Sequence, residues 1–167
     1  IVLDISYNIT QKYLFDMAIS IELLHTASLI IDDLPSMADD NLRRGKPSAH
    51  IKFGEATAVL AGNSLLTMAF EILSHKNLKI SEKIKIDLIN KISESSGHLG
   101  IAGGQYLDLN YERKKISQNK IEKMEIKKTG KLFSFCCAAP LIIKKKNKND
   151  IKKFENIGAD IGLLFQV

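Results

Sequence analysis

Residues 25–47 read HTASLIIDDLPSMADDNLRRGKP, an apolar run that ends on two adjacent carboxylates and is followed by a second acidic pair and two arginines. Mg²⁺ is a hard cation that keeps several of its waters, and one or two carboxylates plus substrate phosphate oxygens commonly hold it. Arginine presents a rigid fork of donors that fits phosphate oxygens two at a time. Asp32 and Asp33 beside Arg43 and Arg44 therefore supply both halves of a Mg²⁺–diphosphate site. Taken alone, the acidic pair also reads as exposed or helix-capping aspartates, and the arginines as a solvated turn before Gly45. Leu34 precedes Pro35, which disfavours helical geometry, so the chain is expected to loop out before Asp39.

Outward from this stretch the pattern is helical. Apolar residues recur at helical spacing over 9–31, 54–75, 82–97, 98–111, 119–144 and 150–166, with no competing strand-like alternation. Within 9–31, Leu14, Met17, Ile21, Leu24 and Ser28 share one face, while Ala18 and Leu29 widen it. A stripe this broad predicts a helix buried in a bundle. Pro140, inside an apolar stretch, is expected to kink its helix or begin a new one.

The chain has 167 residues, 45% of them hydrophobic, enough for one domain or part of one. A net charge of +5 suits anionic partners without choosing among diphosphates, nucleic acid and a membrane surface. The lysines of KKKNKNDIKK (144–153) read as a solvated loop and helix start. Cys136 and Cys137 are adjacent, which suits neither an ordinary disulfide nor a convergent zinc pair; they read as small core residues in a reducing cytosol. Apolar runs such as 27–31 are too short to span a bilayer, and the start IVLDISYN lacks a basic region followed by a long apolar stretch. A soluble, cytoplasmic protein is expected, not an integral membrane one.

Four further strings follow in order: FGEATAVLAGNSLL (53–66), GGQYLDL (103–109), KKTGKLF (127–133) and IGLLFQV (161–167). With the acidic stretch, they resemble the motifs of the trans-isoprenyl diphosphate synthases over nearly the whole chain. The resemblance implies an all-α fold, an antiparallel helical bundle around a deep apolar cavity with two aspartate-rich motifs facing each other at its mouth. Only the first motif is present here. The chain is thus expected to be part of a single synthase domain, without the N-terminal helices and without the C-terminal part that carries the second motif.

The implied activity is that of a short-chain prenyltransferase. An allylic diphosphate ionises, isopentenyl diphosphate attacks the carbocation, and loss of a proton leaves a chain five carbons longer. Metal ions and cationic side chains stabilise the departing diphosphate, and an apolar cavity excludes the water that would quench the cation.

By the same resemblance, Asp32 and Asp33 bind Mg²⁺, with Asp32 the more direct ligand. Arg43 faces the allylic diphosphate and Arg44 the isopentenyl diphosphate. Lys128 and Thr129 contact the allylic diphosphate from the opposite wall, and Gln166 is the glutamine of the FQ string. Asp32, Asp33, Arg43 and Lys128 form the expected catalytic set. His25 stays open between isopentenyl diphosphate binding and a buried hydrogen-bonded role. Gln105 and Asp108, three apart on one helical face, are expected to line the pocket. One departure stands out: Ala38 occupies the place of the family's closing Asp, and Asp39 replaces it as a metal ligand only if the loop turns it inward.

Ala27 and Ser28, one turn before Asp32, lie where the family sets its cavity floor. Both are small, and HTASLIIDD resembles the geranylgeranyl diphosphate type, with farnesyl diphosphate the alternative product. Family members are commonly homodimers. A non-catalytic synthase-like subunit is a competing reading; a nucleic-acid-binding helical domain is another, but interleaved aromatics and a recognised motif are missing.

Overall fold

The computed structural model describes residue 9 and residues 11–166. The opening IVLDISYN and the last residue of the FQV string lie outside the described residues. The chain runs α1 (Gln11–Asp32), a short hairpin of β1 (Leu42–Arg43) and β2 (Lys46–Pro47), α2 (Ala49–Phe53), α3 (Glu55–Ser74), α4 (Glu82–Ser96) and α5 (Ile101–Tyr111). It continues through α6 (Gln118–Glu125), a π-helical turn (Ile126–Gly130), α7 (Lys131–Ile143) and α8 (Lys148–Phe165). The all-α expectation holds for the architecture.

Two local features differ from the sequence reading, and a third settles one of its alternatives. The hairpin is a two-residue ladder, Leu42 opposite Pro47 and Arg43 opposite Lys46, too short to show alternation. Arg44 and Gly45 at its tip have φ of 54° and 75°, and two successive positive φ values match the twist of a two-residue hairpin turn. The helix expected over 119–144 carries a π turn, which inserts one residue without disturbing the apolar pattern on either side. Pro140 starts no new helix; α7 runs through it and ends at Ile143. Its missing N–H removes one bond from the ladder of α7.

Helix ends follow local chemistry. Ser81 accepts from Ile84 N at the start of α4, and Asn147 accepts from Asp150 N at 2.9 Å at the start of α8. Gly54, at φ 86°, turns the chain between α2 and α3.

Antiparallel packing is visible in the contacts. Ser20 donates to the Ala69 carbonyl at 2.8 Å, while Gly62 lies against Ile31 and Ala27, so α1 descends as α3 ascends. Likewise Gly158 meets the Phe133 backbone and Gly162 meets Gly130, so α7 and α8 also run in opposite senses. A Cβ on Gly162 would come within 2.6 Å of the Gly130 Cα, and only glycine permits that approach. The core between these pairs holds Met17, Leu24, Leu73, Leu88, Ile92 and Phe135, all nearly fully buried.

Residues 13–32 and 55–74 each form a helix long and apolar enough, by length and composition, to cross a membrane. The short apolar runs in the sequence understated this, because isolated polar residues such as Asp16, Glu22, His25 and Asn63 break the runs without making the helices polar overall. In the structure the two helices pack on each other. The α1 face carrying Met17, Leu24 and Ala27 is buried.

Candidate functional site

A cavity of about 1000 Å³ opens among α1, α5, the π turn and the end of α8. Its wall on α1 extends from Asp32 at the mouth down to Ile21. Eleven residues of helix make that depth about 16 Å. Leu24, Leu66 and Leu132 make the interior mostly apolar, with Glu22 and His25 the polar groups low on the α1 wall, and Asp32, Arg43 and Lys128 put charge at the rim.

Asp32 is the last residue of α1, which has no basic residue in its final turn. The C-terminal end of a helix carries partial negative charge, so Asp32 and Asp33 are not capping aspartates; their position attracts a cation instead. Asp32 Oδ1 is buried without a hydrogen-bond partner. Its other oxygen lies 3.9 Å from Lys128 Nζ and 4.0 Å from an Arg43 nitrogen. Burial raises its pKa above the ordinary carboxylate value, against the lowering pull of Lys128 and Arg43.

Asp33 has the opposite surroundings. It is 3% exposed, and Arg43 Nε donates to both of its oxygens, at 3.0 and 3.3 Å, while Arg43 Nη2 also bonds to it. These hydrogen bonds raise the Arg43 pKa further. Asp40 Oδ2 accepts from the same guanidinium at 3.3 Å.

On the facing wall the π turn sets Lys128, whose Nζ donates to Asp108 Oδ2 at 2.6 Å. Gly104 of α5 lets this happen: a Cβ there would come within 2.3 Å of the Lys128 backbone nitrogen. Thr129 Oγ1 accepts from Gln166 Nε2 at 2.6 Å, tying the end of α8 to the same turn. Behind them, Glu125 Oε2 is buried and unpartnered, and burial with the nearby Asp108 charge raises its pKa.

The sequence candidates thus divide. Asp32, Arg43, Lys128, Thr129 and Gln166 converge on the mouth, and Gln105 lines it. His25 lies on the cavity wall with Nδ1 3.3 Å from Glu22 Oε2, seven residues and about 10 Å below Asp32. Ala27, 2% exposed, and Ser28 line the wall between them. Arg44 is exposed at the hairpin tip and does not line the cavity.

Asp39 is exposed at φ 53°. The loop folds back on the end of α1 through Ala38 N to Asp32 O and Asp40 N to Asp33 O. Asp40, not Asp39, meets Arg43. Among the described residues no three His, Cys, Asp or Glu side chains converge to hold an ion. The Asp32, Asp33, Asp39 set is therefore not assembled, because Arg43 occupies Asp33 and the turn leaves Asp39 in solvent. Sequence reasoning gave no site role to Asp40 or Glu125 and read Ile21 only as part of the apolar stripe on α1. An acidic residue three before Arg43 was the available signal for the first.

The polyprenyl synthetase family model matches residues 2–167. The chain belongs to the polyprenyl synthetase family. It is 39% identical over 163 residues to the farnesyl diphosphate synthase of Bacillus subtilis (strain 168), covering 97% of this chain and 55% of that protein. To geranylgeranyl pyrophosphate synthase 4 of Arabidopsis thaliana it is 36% identical over 94% of its length, covering 42% of the relative. Its fold superposes with a TM-score of 0.87 on a geranyltransferase from Helicobacter pylori complexed with magnesium and isoprenyl diphosphate. That pair shares 37% identity over 95% of this chain and 54% of the other. The chain spans about half the length of the curated relatives it matches.

Proposed function

We propose that this chain is part of one synthase domain that condenses isopentenyl diphosphate with an allylic diphosphate. The carrying observation is Asp32 Oδ1, buried and unpartnered at the mouth of an apolar cavity and ringed by Lys128 and Arg43. A sheltered carboxylate oxygen with no donor suits a hard cation, and the family likeness to a magnesium-bound relative supports Mg²⁺. Asp32 would hold the ion, with Asp33 joining once it leaves Arg43; when bound, Mg²⁺ supplies charge that stabilises the departing diphosphate.

The chain's own residues do the rest. Arg43 and Lys128 grip diphosphate oxygens, and Thr129 with Gln166 closes the wall beside them. The leucine-lined interior receives the hydrocarbon tail and keeps water from the cation. Arg44, at the exposed hairpin tip, would meet isopentenyl diphosphate from the solvent side, and His25 would contribute from lower on the wall.

Ala27 and Ser28 leave the upper cavity open, which favours geranylgeranyl diphosphate; farnesyl diphosphate is the alternative, favoured by the Bacillus relative's name. The protein is read as soluble and cytoplasmic, with Cys136 and Cys137 in the reduced thiol state. We expect it to be a homodimer: Leu60 and Met68, about 80° apart around α3, are exposed apolar side chains on one side of that helix.

The test is turnover of isopentenyl diphosphate with an allylic partner and Mg²⁺, in a form with both metal-binding motifs, followed by chromatography of the dephosphorylated products. A twenty-carbon main product that becomes fifteen in Ala27→Tyr supports the assignment. A wild type that stops at fifteen, or a variant that still makes twenty, overturns the chain-length reading. A non-catalytic subunit is the second reading, favoured by Ala38 and the incomplete acidic set; pyrophosphate and Mn²⁺ binding without turnover in that complete form would establish it.

A further inference from the structure

The charges at the mouth are already paired among themselves. Arg43 directs Nε and Nη2 at Asp33, reaches Asp40 at 3.3 Å, and stands 4.0 Å from Asp32. Lys128 is held by Asp108. The two pairs differ in burial: Asp33 has a side chain 4% exposed, whereas Asp108 is 40% exposed. A forked pair on a buried carboxylate is strong, and a ligand that takes one partner must also meet the cost of leaving the other without its counter-charge.

A diphosphate oxygen reaching Arg43 competes with Asp33, and a divalent cation reaching Asp33 competes with Arg43. We propose that the Asp33–Arg43 pair is an internal counter-ion lock on the site: each ligand binds weakly alone, and either one, by taking its half of the pair, frees the other half. This inference rests on the Mg²⁺–diphosphate reading above. Coupling of this kind is reciprocal, since the free energy one ligand spends on opening the pair is spared the second.

Direct attraction between metal and diphosphate also couples them, so the decisive measurements use one ligand at a time. Inorganic pyrophosphate is titrated calorimetrically into metal-free protein, and Mn²⁺ is titrated by electron paramagnetic resonance without pyrophosphate. The lock predicts that Asp33→Asn tightens metal-free pyrophosphate binding by about tenfold, because Arg43 is released. Asp39→Asn, an equal charge change on an exposed residue of the same loop, shifts it by less than about twofold. Arg43→Gln, though it removes a cation from the site, tightens Mn²⁺ binding in the absence of pyrophosphate by about tenfold, beyond generic electrostatics.

Equal shifts in Asp33→Asn and Asp39→Asn, or unchanged or weaker Mn²⁺ binding in Arg43→Gln, overturn the lock. Circular dichroism melts confirm folding. If Asp33→Asn fails to fold, the Arg43→Gln titration decides alone, since that residue sits on a surface hairpin. A wild type that binds neither Mn²⁺ nor pyrophosphate, singly or together, overturns the site reading and the lock with it. Wild-type binding of both with single-ligand affinities that the variants leave unmoved overturns the lock alone.

Discussion

Asp32 at the cavity mouth and Glu155 on the seam between α4 and α8 have similarly sheltered side chains, 19% and 14% exposed, yet their pKa values move in opposite directions. Glu155 receives Lys91 Nζ at 2.7 Å on one oxygen and Lys152 Nζ at 3.3 Å on the other. Burial alone would raise its pKa, but the Lys91 and Lys152 contacts lower it. Asp32 also has two cations nearby, but they stand off at 3.9 and 4.0 Å and one of its oxygens has no donor at all. Two direct lysine contacts make Glu155 architectural. Stand-off leaves Asp32 desolvated and ready for a cation.

The largest effect expected from this contrast is on ligand capture. Asp32→Asn removes the unpartnered charge while keeping the side chain's shape. Turnover in a form with both metal-binding motifs should fall by about 10²–10³-fold. The same variant should melt at a higher temperature than wild type without ligand, because a desolvated charge has been removed. Steady-state kinetics beside a thermal melt check both. Activity loss accompanied by lower stability would mean Asp32 is structural after all.

Glu155→Gln should do the reverse. Losing the 2.7 Å contact leaves the partly exposed Lys91 ammonium with Glu94 alone, at 3.5 Å, which costs about 1–2 kcal/mol. For a chain of this size that lowers the melting temperature by about 2–6 °C. Pyrophosphate binding should stay within about twofold of wild type, since the seam lies outside the cavity lining. A large binding defect with an unchanged melt would erase the distinction between the two regions.

How far each region was readable from sequence follows from the same physics. Burial on a bundle repeats about every 3.6 residues, so α1, α3, α4 and α8 were legible as long apolar patterns. The π turn was not: it adds one residue at Ile126–Gly130 and leaves the pattern intact, although it is what aims Lys128 at Asp108. The hairpin escaped because two paired residues cannot alternate; Arg44–Gly45 was its only signal. At the site, residue types were legible and pairings were not. Asp32 and Asp33 look equivalent side by side in the chain. A loop folded back through Ala38 and Asp40 leaves one unpartnered and ties the other to Arg43.

The smallest effect, and the most direct comparison of the two carboxylates, is in how stability depends on pH. Asp32 has an ordinary value of 3.8 that folding raises. Between 3.8 and its folded value the folded chain binds more protons than the unfolded one, so stability falls as pH rises through that window and then levels. Glu155 has an ordinary value of 4.5 that folding lowers. Its contribution is complete above 4.5 and is lost as pH falls through the folded value. The stability gained by Asp32→Asn over wild type should therefore grow as pH is raised from the acid limb toward neutrality. The stability lost in Glu155→Gln should shrink as pH is lowered. Denaturant melts of the three proteins across this range, at low salt so that screening does not flatten the differences, give opposite trends if the two carboxylates are held as described. Parallel curves would show that neither differs between the folded and unfolded chain, and the contrast between mouth and seam would rest on geometry alone.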